Sequence, residues 1–83
     1  MYHVYILKSL KYPKTYTGIT KNLDKRLKTH NSGGSGEYTQ KYKPWKIIYL
    51  EICKDSIKAR VREKYFKSSV GRRWIKKNLF SKI

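Results

Sequence analysis

Two stretches of this chain set reactive side chains where packing alone would not put them. Leu23, Arg26, Leu27 and His30 recur at helical spacing. At about 100° per residue they share one arc of roughly 100°. That helix points a guanidinium and an imidazole along its apolar side, while Lys25 and Lys28 take the solvated one. A guanidinium is a planar fork for phosphate or carboxylate oxygens, and an imidazole exchanges its proton near neutrality. The placement suggests a pocket. A second pair stands nearer the N-terminus. Tyr5 ends the triplet His3-Val4-Tyr5 and Tyr16 opens Tyr16-Thr17-Gly18, with ten residues between the triplets. Taken singly, each residue has a plainer reading. The tyrosines are cross-strand aromatics, Arg26 a snorkelling cation, and His30 a favourable charge at a helix C-terminus. Glu63 is an i,i+4 partner for Lys67.

Charge says what such a pocket would meet. Among 83 residues, 21 Lys and Arg stand against five Asp and Glu, a net charge of +16. A field that strong in one small domain, residues 1–83, favours a polyanion, most plausibly nucleic acid. Membrane surfaces also attract basic proteins, but no long basic amphipathic helix with a wide apolar face is evident. The lone Cys53 excludes an internal disulfide and a cysteine-based metal site, and reads as a small buried hydrophobe. The N-terminal apolar run is too short for a signal peptide. Ile47 to Leu50 is far below the ~18 residues of a membrane span. A soluble, cytoplasmic protein is the expectation.

The elements that must position these residues follow from the patterning. Tyr2 to Leu7 is β-branched and aromatic and reads as a strand, with Tyr2, Val4 and Ile6 on one face and His3, Tyr5 and Leu7 on the other. After a turn over residues 8–14, Thr15 to Ile19 returns to complete a hairpin. Gly18 suits a bulge or a close backbone approach. Thr20 or Asn22 caps the helix that carries Arg26 and His30, and Asp24 sits in its first turn. Residues 31–36, Asn-Ser-Gly-Gly-Ser-Gly, end that helix in a flexible loop. Tyr38 to Lys43 interleaves aromatic and basic side chains, as backbone phosphates and unstacked bases would require. Trp45 to Ile52 is a third strand whose alternation puts Trp45, Ile47, Tyr49 and then Glu51 on one face. Asp55 or Ser56 starts a helix to about Ser68, with Ile57, Val61 and Tyr65 as its apolar stripe. Gly71 breaks the pattern before a short basic helix, Arg72 to Leu79. The order predicted is β-β-α-β-α-α, an α+β fold.

With these positions assembled, the chain resembles a GIY-YIG nuclease domain, of the small stand-alone type related to the N-terminal domain of a bacterial excinuclease. The resemblance covers essentially the whole length. It runs through Tyr16-Thr17-Gly18-Ile19-Thr20, Arg26, His30-Asn31, Gly33, Tyr38-Thr39, Pro44-Trp45 and Arg62-Glu63-Lys64. The first triplet is His-Val-Tyr in place of Gly-Ile-Tyr, and Thr17 replaces the isoleucine of the second. Both tyrosines and Gly18 are kept.

The resemblance implies a three-stranded antiparallel sheet flanked by helices, with a site made of Tyr5, Tyr16, Arg26, His30 and Glu63. It implies one divalent metal, Mg²⁺ or Mn²⁺, held by Glu63. The carboxylate inventory is compatible, since Asp24 and Asp55 have helix-start roles, Glu37 lies in the glycine loop and Glu51 is near a strand end. A two-metal site needs more convergent carboxylates than that. The implied activity is hydrolysis of DNA phosphodiesters, structure-specific or weakly specific, in repair or recombination. Arg26 would hold a phosphate oxygen, Tyr16 would position water or phosphate, and Tyr5 or His30 would take the water's proton. The surrounding positive charge would favour a Tyr5 phenolate. Lys41, Lys43, Lys64, Lys67, Arg72, Arg73, Lys76 and Lys77 are assigned to phosphate contact. Two competing readings are a nucleic-acid-binding module that kept the fold and lost the activity, and an interaction protein with a merely basic surface.

Overall fold

The computed structural model describes residues 1–32 and 36–79. The chain runs β1 (Tyr2–Ser9), β2 (Thr15–Thr20), α1 (Leu23–Ser32), α2 (Glu37–Lys41), β3 (Trp45–Cys53), α3 (Ser56–Lys67) and α4 (Ser69–Asn78). The three strands form one antiparallel sheet in the order β2-β1-β3. β1 is therefore central. Its alternation sends side chains into two separate cores. Val4 and Ile6 pack with Ala59, Phe66 and Ile75 beneath α3 and α4, while Tyr5 and Leu7 pack with Trp45, Leu23 and Leu27 beneath α1. A central strand covered on both faces needs apolar residues at consecutive positions, and Val4 to Leu7 supply four, each no more than 1% exposed.

Several expectations are corrected here. Trp45, Ile47 and Tyr49 do not share a face. The register passes from Ile6↔Tyr49 to Leu7↔Ile47, so Ile48 is an extra residue in the ladder. A bulge of one residue reverses the alternation. Trp45 and Ile47 lie with Tyr5 and Leu7, whereas Tyr49 meets Phe66 at 5.6 Å on the other side.

The apolar stripe of α3 is also different. Ile57 and Val61 are 73% and 62% exposed, and the buried residues are Ala59 and Phe66. Small Ala59 lets the helix approach the sheet, and Phe66 sits among Tyr49, Tyr65 and Trp74 with centroids 5.2–5.6 Å away. Asp55 caps this helix, accepting the Lys58 N–H at 2.8 Å.

Gly71 does not break a helix. It lies inside α4, where a Cβ would come within 2.0 Å of the Tyr65 carbonyl oxygen and 2.6 Å of Phe66 Cα. It is the contact at which α4 crosses the end of α3. The break is Ser68, which ends α3 and whose hydroxyl accepts the Gly71 N–H at 3.2 Å to start α4.

Most of the aromatic-basic segment Tyr38 to Lys43 lies in a short helix absent from the predicted order, α2, entered through Gly36 at φ 122°. That angle suits a residue without a Cβ. Of the loop expected over residues 31–36, Asn31 and Ser32 belong to α1, and residues 33–35 lie outside the described residues. Cys53 is half-buried and free. Among the described residues, no helix is long and apolar enough to cross a membrane.

Candidate active site

The site begins with an absence of side chain. Tyr5 on β1 faces Gly18 on β2 across the ladder. A Cβ at Gly18 would lie 2.6 Å from the Tyr5 hydroxyl oxygen, 2.8 Å from Cζ and 3.0 Å from Tyr16 Cε1. The Tyr5 ring thus lies flat across β2 where that strand has no side chain. Gly18 gives the close approach expected of it, without a bulge. Tyr16, opposite Leu7, is the diagonal neighbour of Tyr5 on the same face, with ring centroids 6.3 Å apart.

α1 enters through a turn closed by Thr20, whose Oγ1 accepts the Asn22 N–H at 3.1 Å. Asn22 Oδ1 in turn accepts the Lys25 N–H at 3.1 Å. Of the two candidate caps, Asn22 satisfies the helical donor and Thr20 shapes the approach. Leu23 and Leu27 then anchor the helix on the core under Tyr5. His30, 0% exposed, places Nε2 2.9 Å from the Tyr5 hydroxyl and its ring 4.7 Å from that of Tyr16. Arg26 is exposed, yet both tyrosine hydroxyls act on its guanidinium electrostatically. Hydrogen bonding to Tyr5 is the largest influence that raises its pKa.

Glu63 comes from the opposite layer. It lies one turn from Ala59 on the sheet-facing side of α3, its side chain 25% exposed, and its charge is felt at the Tyr5 hydroxyl. Lys67 pairs with it at 3.4 Å, so the plain i,i+4 contact exists as well. Exposed pairs of that kind are weak, and the carboxylate stays open to another cation.

The protonation states differ from expectation. Burial is the main cause that raises the Tyr5 pKa, outweighing the opposing effect of Arg26. Burial first, then the Arg26 charge, lowers that of His30. The expected phenolate is overturned because desolvation acts at the hydroxyl itself, while most of the +16 lies at the surface across solvent. At neutral pH Tyr5 is a phenol and His30 a neutral imidazole.

A groove of about 320 Å³ opens beside this cluster, lined among others by Tyr16, Thr17, Tyr38, Lys67 and Arg72. A neighbouring one of about 370 Å³, lined by Pro13, Thr15, Arg72, Ile75 and Lys76, shares three of its residues. Three of the eight cations assigned to phosphate contact, Lys67, Arg72 and Lys76, line these grooves. Arg73 and Lys77 are exposed one residue beyond Arg72 and Lys76 on α4, turned by about 100° away, and Lys64 is exposed one turn before Lys67 on α3 and lines neither groove. Lys41 lies 5.4 Å over the Tyr42 ring, and Lys43 is exposed on the α2–β3 connection.

Three positioning features have no role assigned to them by the sequence, although Asn31, Tyr38, Trp45 and Arg62 are among the positions that carry the resemblance. Tyr38 stacks on Trp45 at 5.9 Å and donates its hydroxyl to the Thr15 carbonyl at 2.9 Å. The α2 helix that holds it is too short to show a helical period. Asn31, next to His30, accepts the Trp45 N–H at 2.6 Å and donates to its carbonyl at 3.3 Å, tying α1 to β3. Arg62 grips Glu51 through two bonds of 2.8 and 2.7 Å, and Tyr49 donates to the same carboxylate at 2.6 Å. That network sets the rotation of α3 and so the direction of Glu63. The sequence marks Arg62 through the resemblance and Glu51 through its place on the Tyr49 face, but it does not pair them.

A model of the GIY-YIG catalytic domain matches residues 1–78. The chain belongs to the GIY-YIG family. Its relatives include a UPF0213 protein of Clostridium perfringens, 45% identical over 81% of this chain and 71% of that one. A second is the UPF0213 protein YazA of Bacillus subtilis, 35% identical over 78% and 66%. The solution NMR structure of a UPF0213 protein from Bacillus halodurans covers 90% of this chain and 82% of its own, with a TM-score of 0.53 and 28% identity. This GIY-YIG chain carries the family's nuclease fold, a three-stranded antiparallel sheet flanked by helices, and the family implies a nucleic acid substrate.

Proposed function

We propose that this protein is a metal-dependent endonuclease that hydrolyses DNA phosphodiesters, acting on structure or with weak sequence preference. One observation carries the reading. Groups from opposite layers of the fold act on the Tyr5 hydroxyl: His30 at 2.9 Å and Arg26 from α1 and, more weakly, the charge of Glu63 from α3. A cross-strand aromatic needs no such company.

In-line attack of water on phosphorus requires removal of the water's proton and compensation of charge on the phosphate oxygens. His30 Nε2 lies 2.9 Å from the Tyr5 hydroxyl, so it receives that proton through Tyr5. The phenol takes a proton from water while passing its own to Nε2, and no free phenolate needs to form. The low His30 pKa keeps the acceptor unprotonated at neutral pH. Arg26 holds a non-bridging oxygen through its fork, and Tyr16, beside it, orients the phosphate. Lys67, Arg72 and Lys76 neutralise neighbouring phosphates along the groove.

Glu63 is the residue that would hold a divalent ion. Glu51 is engaged by Arg62 and Tyr49, and no group of three His, Cys, Asp or Glu gathers among the described residues. One carboxylate completed by water and phosphate oxygens fits Mg²⁺ or Mn²⁺, which keep most of their hydration. Such an ion supplies positive charge for the leaving 3′-oxygen.

Cleavage of branched, flapped, single-stranded and duplex DNA with Mg²⁺ or Mn²⁺ tests this, with Glu63→Ala beside the native chain. Metal-dependent nicking that Glu63→Ala abolishes is expected. Binding without nicking on every substrate would refute the enzyme and leave a binding module.

A further inference from the structure

The surface formed by Ile57 and Val61 of α3 and the outer edge of β3 carries none of the five site residues. β3 ends the sheet order, so its outer edge presents backbone groups on which a further strand can form. Next to it Ile57 and Val61, 73% and 62% exposed, stand on α3, and Ile52 on β3 is 62% exposed. A groove of about 510 Å³ runs between strand and helix, lined by these three residues with Lys54 and Lys58 and by the mutually paired Glu51 and Arg62. Contiguous exposed aliphatics on so charged a chain mark a binding surface. We propose that this groove docks an extended, acidic segment of a partner protein, added to β3 as a fourth strand.

The chemistry favours that occupant over two others. Glu51 faces α3 through Arg62, so by alternation Ile52 points to the opposite sheet face. A docked strand then meets Ile57 and Val61 on one side and Ile52 on the other, and its centre must be apolar on both. Lys54 and Lys58 at the groove, with exposed Lys46 towards the other end of β3, select carboxylates at its flanks. A second copy paired antiparallel about Leu50 would set Lys46 against Lys54, and like charges directly opposite are unfavourable. It would also bring together two bodies of +16 each. Nucleic acid would find no aromatic ring lining this groove on which to stack.

The proposal depends on no catalytic residue, and its test reads binding. The probe is a fluorescein-labelled peptide with a central Val-Ile-Val-Ile run between pairs of glutamates, followed by anisotropy and by backbone amide shifts. It is expected to bind, to move the amides of residues 50–53, and to bind about tenfold more weakly when its glutamates are replaced by lysines. Val61→Asn and Ile57→Asn change exposed positions; with unchanged dispersed amide spectra, each should weaken binding about tenfold, the scale of one aliphatic contact. No binding, equal binding by both variants, or shifts mapping elsewhere would overturn the proposal. So would an oligothymidylate that moves the same amides, or sedimentation showing a dimer that Val61→Asn dissolves.

Discussion

Gly18→Ala is the most informative single change, because it adds one methyl at the point on which the site is built. The new Cβ would sit 2.6 Å from the Tyr5 hydroxyl oxygen, where ordinary contact begins at 3.4 Å. Tyr5 must therefore retreat by about 0.8 Å, since overlap of that size is strongly repulsive. A shift of that size can change the 2.9 Å contact with His30 by up to about 0.8 Å, enough to take it out of hydrogen-bond geometry. Misplacement on the order of 1 Å costs about 10²-fold in rate. Overpacking costs about 1–3 kcal/mol, offset by about 0.4–1 kcal/mol from the stiffer unfolded chain. The net, roughly 1–2 kcal/mol, corresponds to a fall in Tm of about 5–10 °C for a domain of this size. Single-turnover cleavage and thermal unfolding of the native chain, Gly18→Ala, Tyr5→Phe and the double variant give the assay. If both changes act through one hydroxyl, Gly18→Ala should cost little further rate in the Tyr5→Phe background. Wild-type cleavage by Gly18→Ala, or losses that multiply independently, would refute this account of how Tyr5 is positioned.

Other expectations follow from the same geometry. The lowered His30 pKa means that the unfolded chain binds this proton more readily, so stability rises with pH over that window. The His30 contribution should be complete above pH ~6.5 and lost as pH falls through the lower folded value; urea unfolding from pH 4 to 8 should show a slope that His30→Gln reduces. Cleavage should fall over the same acid range, as the proton acceptor becomes occupied. Arg26→Ala, at an exposed position, should leave Tm nearly unchanged while lowering the rate about 10²–10³-fold, the usual loss of one charge-stabilising donor; simple unfolding would assign Arg26 a structural role instead. Phe66→Ala should cost about 3–5 kcal/mol as a core truncation, read by denaturant midpoint, because Phe66 is 1% exposed and supports the helix that carries Glu63.

The difference between what is legible in the sequence and what is not has physical causes. Local pattern carries the hairpin, the Asp55 cap, both cores along β1 and the Arg26–His30 arc, since strand alternation and helical period are properties of neighbours in the chain. The membership of the site is legible only through resemblance, because a lone tyrosine or glutamate has an ordinary reading at each position. Interactions between distant elements decide the rest. The bulge at Ile48 turns Tyr49 and Glu51 to the other face, and Glu51 can then hold Arg62 and rotate α3. That rotation puts Glu63 towards the sheet and leaves Ile57 and Val61 outside, where hydropathy alone would bury them.

From its sequence alone this chain is a basic α+β protein with a hairpin, a pocket-facing arginine and histidine, and a field suited to a polyanion. Composition and short-range periodicity carry that information without a fold. Only the tertiary structure decided that Tyr5 is a buried phenol coupled to a neutral His30, and that Lys67, Arg72 and Lys76 border the groove while Arg73 and Lys77 do not. Burial and side-chain direction depend on which surfaces pack together, and the packing of α3 and α4 on the sheet is set by Ala59, Gly71 and the Glu51–Arg62 pair acting across the chain.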